Sequence, residues 1–337
     1  MLTATLLLLA GLILLIGGAD VLVRGVSALA AAAGVPPLVI GLTLVAFGTS
    51  TPEMVVNGIA AYNGETALAY GNVVGSCAVN IGWVLAVTAL VRPLTVEPSV
   101  VSREIPMMLL GVAGFAAVAS DALLRDGPVN VVGRGDGIVL LLLFGVFVYY
   151  TVRGVLVRPL DQDALVAEVR QADVAVPVPV EPRRPSRPTV AYVLMTLGGI
   201  VGVAAGGRLV VAGATTIAAR LGVPDVIVGL TIVSFGTTLP ELATGVLAAR
   251  RGQGDIAVGN VVGSNIFNLL AVGGAVAVIR PVPVPAGGHL DLLVMAGLSV
   301  ALLPIALRGP MRITRAEGGC LLAAYLAYAT WRTWAAL

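Results

Sequence analysis

Lysine is missing altogether, and all 20 basic residues are arginine. Histidine occurs once, at His289, and cysteine twice, at Cys77 and Cys320. Charged residues fill only 11 % of the 337 positions, where soluble domains carry about 25 %. Each shortage excludes something. So few charges cannot cover the surface of a water-soluble fold, which rules out a cytosolic globular enzyme and a disordered chain. A net charge of +2 is too small for a nucleic-acid binder. Both cysteines lie inside apolar runs, so they read as small buried hydrophobes rather than a disulfide framework. His289 follows a Pro/Gly-rich turn and reads as a loop residue, not a ligand. The N-terminus lacks a charged n-region and a cleavage site followed by polar sequence, so it reads as a first span.

What is present is aliphatic. Apolar residues make up 58 % of the chain, glycine contributes 42 residues, and the mean hydropathy is +1.00. The apolar stretches reach roughly 20 residues, enough to cross a hydrocarbon core as helix, and the short alternating segments of a membrane barrel are absent. The fold class expected is an all-α integral membrane protein of ten transmembrane helices, with the lipid bilayer as its surroundings. Spans are expected at about 2–22 (running on towards Ala33), 36–61, 66–91, 104–120 and 137–153, then at 189–220, 225–249, 255–279, 290–307 and 316–334. The long polar stretch from Arg158 to Arg187 reads as an extended linker. If the linker is cytoplasmic, about thirteen arginines lie on its side against five opposite. The positive-inside rule then puts both termini outside.

The chain repeats itself. Adding 188 to a position in the first half lands on its counterpart without a gap: GVPPLVIGLTLVAFGTSTPE (Gly34 to Glu53) overlays GVPDVIVGLTIVSFGTTLPE (Gly222 to Glu241). GNVVGSCAVN (Gly71 to Asn80) likewise overlays GNVVGSNIFN (Gly259 to Asn268). With five spans per half, the second half enters the membrane from the opposite side. That is the inverted-repeat architecture of secondary transporters, with a site near the midplane. The expected division is residues 1–153 as the first repeat (motif about 34–91), 154–188 as a cytoplasmic linker and 189–337 as the second repeat (motif about 222–279).

The repeated residues point to a cation. A bare carboxylate at the bilayer centre costs several kcal/mol even on mild scales, yet Glu53 and Glu241 occupy equivalent positions deep in apolar runs. Pro52 and Pro240 release the carbonyls of Gly48 and Gly236 from the helix ladder. Thr49, Ser50 and Thr51, with Thr237 and Thr238, add hydroxyls beside each break. In the following span Ser76 and Asn80 share a helical face, as do Ser264 and Asn268. Gly71 with Gly75, and Gly259 with Gly263, have the spacing that lets helices approach closely. Such a set is all oxygen, without thiolate or imidazole. It suits calcium, or sodium of similar radius, better than zinc or copper, and two carboxylates balance one divalent ion. The plainer alternatives are protonated glutamic acids held within the bundle and hydroxyls bonded back to their own helices.

G-T-S-T-P-E at Gly48–Glu53, G-T-T-L-P-E at Gly236–Glu241 and the paired G-N-V-V-G-S segments resemble the two alpha-repeats of the sodium/calcium exchangers, in the calcium/cation antiporter superfamily. The resemblance implies ten helices in two inverted halves, extracellular termini, and the first helix of each half sliding across a rigid core. By that resemblance Glu53 and Glu241 are calcium-binding carboxylates shared with sodium. Thr49 and Thr237 offer backbone carbonyls. Ser50, Thr238, Ser76 and Ser264 are sodium ligands, and Asn80 and Asn268 complete the central site. Ala46 and Ser234 supply carbonyls for flanking sodium ions. Asn268 stands where some members carry aspartate, which argues against potassium co-transport. The animal exchangers' calcium-sensing domains have no counterpart in the short linker. The expectation is a monomeric calcium antiporter in the cell membrane, driven by sodium or, alternatively, by protons. Calcium and sodium are its transported ions, with no cofactor and no nucleic-acid partner. A membrane-embedded enzyme would need an intramembrane histidine or paired cysteines, which the sequence does not offer.

Overall fold

The structure, a computed structural model, describes residues 2–33, 35, 37–124, 129–156, 189–221, 234–307 and 311–334. The expected linker from Arg158 to Arg187 lies outside the described residues, as does the start of the expected span 225–249.

Helix α1 (Leu2–Ala33) leads to a bent pair, α2 (Leu38–Thr49) and α3 (Thr51–Asn63), followed by α4 (Thr66–Val91), α5 (Val100–Val118) and α6 (Arg134–Leu156). The second half runs from α7 (Thr189–Arg220) through a short turn (Ser234–Gly236) to α8 (Leu239–Arg250), α9 (Gly254–Ile279), α10 (Gly288–Leu307) and α11 (Arg315–Trp334). Among the described residues seven helices are long and apolar enough to cross a membrane, or eight if the bent pair is one span. Four short strands among the described residues join the halves. β1 (Leu94–Thr95), β2 (Val131–Val132), β3 (Val282–Pro283) and β4 (Arg312–Ile313) pair as β1 with β4 and β2 with β3, both antiparallel. Each pair ties a loop of one half to a loop of the other.

The two innermost spans are α4 and α9, each 78 % buried over its most apolar stretch. Both are mostly apolar, and the polar side chains they carry within the span, among them Ser76 and Asn80 on α4 and Asn260, Ser264, Asn265 and Asn268 on α9, are buried inside the protein. The outer pair is α1 and α7, and it packs backbone to backbone. A Cβ on Gly11 would lie 2.6 Å from Val210 N, one on Gly18 2.7 Å from Gly202 C, and one on Gly199 2.5 Å from Leu22 N. Contacts that pair rising numbers on α1 with falling numbers on α7 mean the helices run antiparallel. Only glycine permits this approach. Large apolar side chains such as Leu6, Leu9, Ile13, Leu194 and Val201 stay exposed on the outer face, as expected of a surface turned to lipid.

Two expectations need correction. Cys320 is exposed rather than buried, while Cys77 is buried; both are free thiols. His289 lies in the first turn of α10, not in a loop, and its Nε2 is 3.1 Å from the Ala119 carbonyl oxygen. The Gly288 amide, bonded to Pro285 O at 2.8 Å, starts that helix a residue before the histidine.

Candidate functional site

The bend between α2 and α3 is 43° and falls at Ser50, whose φ of −88° and ψ of 6° depart from helical values. Pro52 sits in the first turn of α3, where its missing N–H costs no hydrogen bond. The second half repeats this: Thr238, at φ −93° and ψ 3°, precedes α8, with Pro240 in its first turn. Glu53 and Glu241 therefore each occupy a helix's first turn, where the dipole's positive end favours a carboxylate. Both are 1 % exposed, and they are close enough for their charges to interact.

The carboxylates are held across the repeat. Thr237, from the second half, hydrogen-bonds the Glu53 carboxylate. Ser50, from the first half, does the same for Glu241, its Oγ donating to Glu241 Oε1 at 3.2 Å. Ser50 Oγ also lies 3.0 Å from Ser264 Oγ on α9, and Thr49 Oγ1 donates to Asn260 Oδ1 at 3.2 Å. The α9 backbone comes this close because Gly259 and Gly263 face α2: a Cβ at Gly263 would lie 2.6 Å from Leu42 O.

Asn80 and Asn268 each sit where the helix widens into π-helical turns, at Asn80–Leu85 in α4 and Phe267–Val272 in α9. Widened turns of this kind recur at functional sites. Both asparagines are buried. Among the buried oxygens with no hydrogen-bond partner in the described residues, which include Asn57 Oδ1, Thr244 Oγ1 and Gln253 Oε1, four stand out: Glu53 Oε2, Glu241 Oε2, Asn80 Oδ1 and Asn268 Oδ1. They come from two repeat-equivalent pairs. An unsatisfied buried acceptor costs about 1–3 kcal/mol, so four of them, with nothing but lone pairs to offer, suit a cation. Among the described residues no cluster of three or more His, Cys, Asp or Glu occurs, so charge comes from the two glutamates and the rest of the set is neutral oxygen.

The halves differ in detail. Thr238 Oγ1 donates to Phe235 O at 3.0 Å, back into its own chain, where its counterpart Ser50 reaches across. Ser76 Oγ donates to Asn72 Oδ1 at 3.4 Å. Thr51 is exposed, bonded to Phe47 O at 2.7 Å, and does not join the cluster. Ala46 is buried, and its carbonyl accepts the Ser50 amide at 3.0 Å; Ser234 opens the short turn ahead of α8. A cavity of about 380 Å³ runs beside α4 to Ser76, lined also by Asn72, Asp291, Tyr328 and Arg332.

Sequence reasoning missed several amides that hold the first set: Asn57, Asn260 and Asn265, all buried, and the half-buried Asn72. Asn57 Nδ2 donates to Glu53 O at 2.8 Å and to Asn72 Oδ1 at 2.9 Å. Asn260 holds Thr49, and Asn265 holds Asn80, its Oδ1 accepting Asn80 Nδ2 at 3.0 Å. The repeat itself flagged Asn72 and Asn260, which fill one position of the G-N-V-V-G-S segments. Asn265 aligns with Cys77, so no symmetry marked it.

Residues 3–153 and 191–334 match the protein family described as "Sodium/calcium exchanger protein". The putative antiporter CaxA of Alkalimonas amylolytica is 39 % identical over 97 % of this chain and 98 % of its own. The inner membrane protein YrbG of Escherichia coli (strain K12) is 35 % identical over 99 % and 98 %. A solved structure of the sodium-calcium exchanger NCX_Mj, soaked with zero Na+ and Ca2+, superposes with a TM-score of 0.79 at 30 % identity, covering 96 % of this chain and 97 % of that one.

Proposed function

Because the chain belongs to the sodium/calcium exchanger family, we propose that it is a secondary antiporter that exchanges calcium for sodium across the cell membrane by alternating access, exporting calcium. The family is one of transporters; the choice of ions and the direction are our reading. The observation that carries it is the set of four buried, unpartnered oxygens drawn from Glu53, Glu241, Asn80 and Asn268.

In this reading the two carboxylates neutralise one calcium ion, and the carbonyls beside the two breaks at Thr49 and Thr237 complete its shell. Sodium spreads along the hydroxyls of Ser50, Thr238, Ser76 and Ser264, with the carbonyls of Ala46 and Ser234 at the flanks. The architecture is ten spans in two inverted halves, 1–153 and 189–337, with both termini outside. The antiparallel packing of the repeat-equivalent helices α1 and α7 supports the inversion. The cavity beside α4 then serves as an ion path from one side, reaching the cluster at Ser76.

Proton-driven exchange on the same scaffold is the second reading. The two buried carboxylates, Glu53 and Glu241, favour it, because each is itself able to bind and release a proton. Calcium-45 uptake into proteoliposomes separates the two. A sodium gradient drives uptake in the first reading, and a proton gradient without sodium drives it in the second. Uptake under neither gradient would overturn both.

A further inference from the structure

Asn265 lies one residue beyond Ser264 and three before Asn268, and it is 0 % exposed. Its amide bridges the halves. Asn265 Nδ2 donates to the backbone carbonyl of Cys77 at 3.3 Å, and Asn265 Oδ1 accepts Asn80 Nδ2 at 3.0 Å. The other contacts are weaker: Cys77 Sγ is 3.8 Å from Asn265 O, and Asn265 Nδ2 is 3.8 Å from Met108 Sδ.

This chain of bonds fixes an orientation. A backbone carbonyl can only accept, so the Asn265 amide must turn its Nδ2 towards Cys77 and its Oδ1 towards Asn80. Asn80 must then present its own NH2 to Asn265. The two ends of an amide point apart, so Asn80 Oδ1 is turned away from Asn265, and it is one of the four buried, unpartnered oxygens.

The repeat offers no such device to Asn268. Subtracting 188 from Asn265 gives Cys77, whose thiol is a poor acceptor. Asn268 Oδ1 has no hydrogen-bond partner among the described residues. Two amides that the sequence makes equivalent are thus inequivalent in the fold, one clamped to an amide of the other half and the other without that clamp.

We propose that Asn265 is a positioning residue that locks Asn80 Oδ1 towards the transported ion, leaving Asn268 as the adjustable partner. This rests on the reading that Asn80 and Asn268 face the ions. A pre-oriented oxygen need not be reoriented when calcium enters, so its effect falls on affinity. The adjustable amide suits the occupant that needs a different arrangement of oxygens.

The test is calcium-45 uptake into proteoliposomes, with KM and maximal rate measured separately. Asn265→Leu keeps the volume but removes the acceptor, and calcium KM should rise about tenfold, the effect of one lost hydrogen bond of about 1.4 kcal/mol, while maximal rate changes less than twofold. A merely structural role would lower the rate and the yield of folded protein and leave KM alone. The second variant exchanges the pair, Cys77→Asn with Asn265→Cys, so the clamp moves to the other half. In the parent Asn80→Ala should raise KM more than Asn268→Ala, and in the exchanged background the order should reverse. An unchanged KM in Asn265→Leu, or an unchanged order in the exchanged background, overturns the proposal. If Asn80→Ala and Asn268→Ala both leave KM unaltered in the parent, the ion-site reading fails instead.

Discussion

Asp20, on α1, is ion-paired with Arg251 in the turn between α8 and α9, while Arg208, its counterpart on α7, is exposed and has no ion-pair partner among the described residues. Arg251 Nη1 also donates to Asp20 O at 3.4 Å, and Gln253 Nε2 to Ser27 Oγ at 2.6 Å, so one turn grips α1 at two levels. The mirrored grip would engage Arg208 with the turn at Asn63 to Glu65, where Glu65 is exposed and makes no ion pair among the described residues. Gly11 meets α7 at Gly206 and Val210, so Arg208 lies level with Gly11. That is nine residues, about 13 Å, along α1 from Asp20. One end of the helix pair is latched and the other is not.

An exposed pair of this kind is worth about 0.2–1 kcal/mol, up to about fivefold in an equilibrium. Arg251→Ala should therefore speed hydrogen–deuterium exchange in the 250–254 turn by up to about fivefold, less at high salt. Because Asp20 also pairs with Arg24 at 2.8 Å, the charge reversal Asp20→Arg with Arg251→Asp is made in an Arg24→Ala background and should restore the rate of that background. Failure of the double reversal to recover protection would mean the pair does not hold α1.

Each carboxylate is expected to be indispensable. Removing one member of a buried charge set costs about 3–5 kcal/mol, which is more than a hundredfold in affinity. Glu53→Gln and Glu241→Gln should each abolish calcium uptake while the purified protein still elutes as one species on size exclusion. Uptake near the parental rate in either would break the two-carboxylate site.

Adjacent glycines on α7 give an internal control. Gly199 faces Leu22, and a Cβ there would sit 2.5 Å from its backbone, whereas Gly198 is exposed and a Cβ would meet nothing within 4 Å. Gly199→Ala should lower stability by about 1–3 kcal/mol through overpacking. Gly198→Ala should be neutral or gain up to about 1 kcal/mol from helix propensity. Thermal melting in detergent decides it, and equal melting points would deny the close approach of α1 and α7.

Asn268 tests the driving ion. Its amide cannot ionise, so Asn268→Asp adds a proton acceptor where protons and cations compete. Sodium-driven uptake should persist in this variant and become more inhibited at pH 6 relative to pH 8 than in the parent. Identical pH profiles would mean that Asn268 faces away from the ions.

Much of this was legible because the repeat supplied two readings of every position. Glu53 with Glu241 and Asn80 with Asn268 announce themselves as polar residues copied into apolar helices, and the prolines mark the bends beside them. Asn265 was illegible for the opposite reason, since its partner copy is Cys77. Arg251 escaped notice because a turn arginine looks like a positive-inside marker until the turn is seen against α1. The hydroxyl of Thr238 shows another limit. Threonine bonds as readily to its own carbonyl three residues back as across a site, and only geometry chooses.

The outer helix pair has a consequence of its own. At 32 residues each, α1 and α7 are rods of about 48 Å, half again the hydrocarbon thickness of about 30 Å. Such rods must lean or protrude, and one flank of the pair meets acyl chains rather than protein. The bilayer therefore bears on this pair directly: a helix longer than the hydrocarbon core tilts, protrudes or thickens the lipid around it. Short-chain and long-chain lipids should then load the same two helices differently while leaving the buried oxygens of Glu53, Glu241, Asn80 and Asn268 untouched.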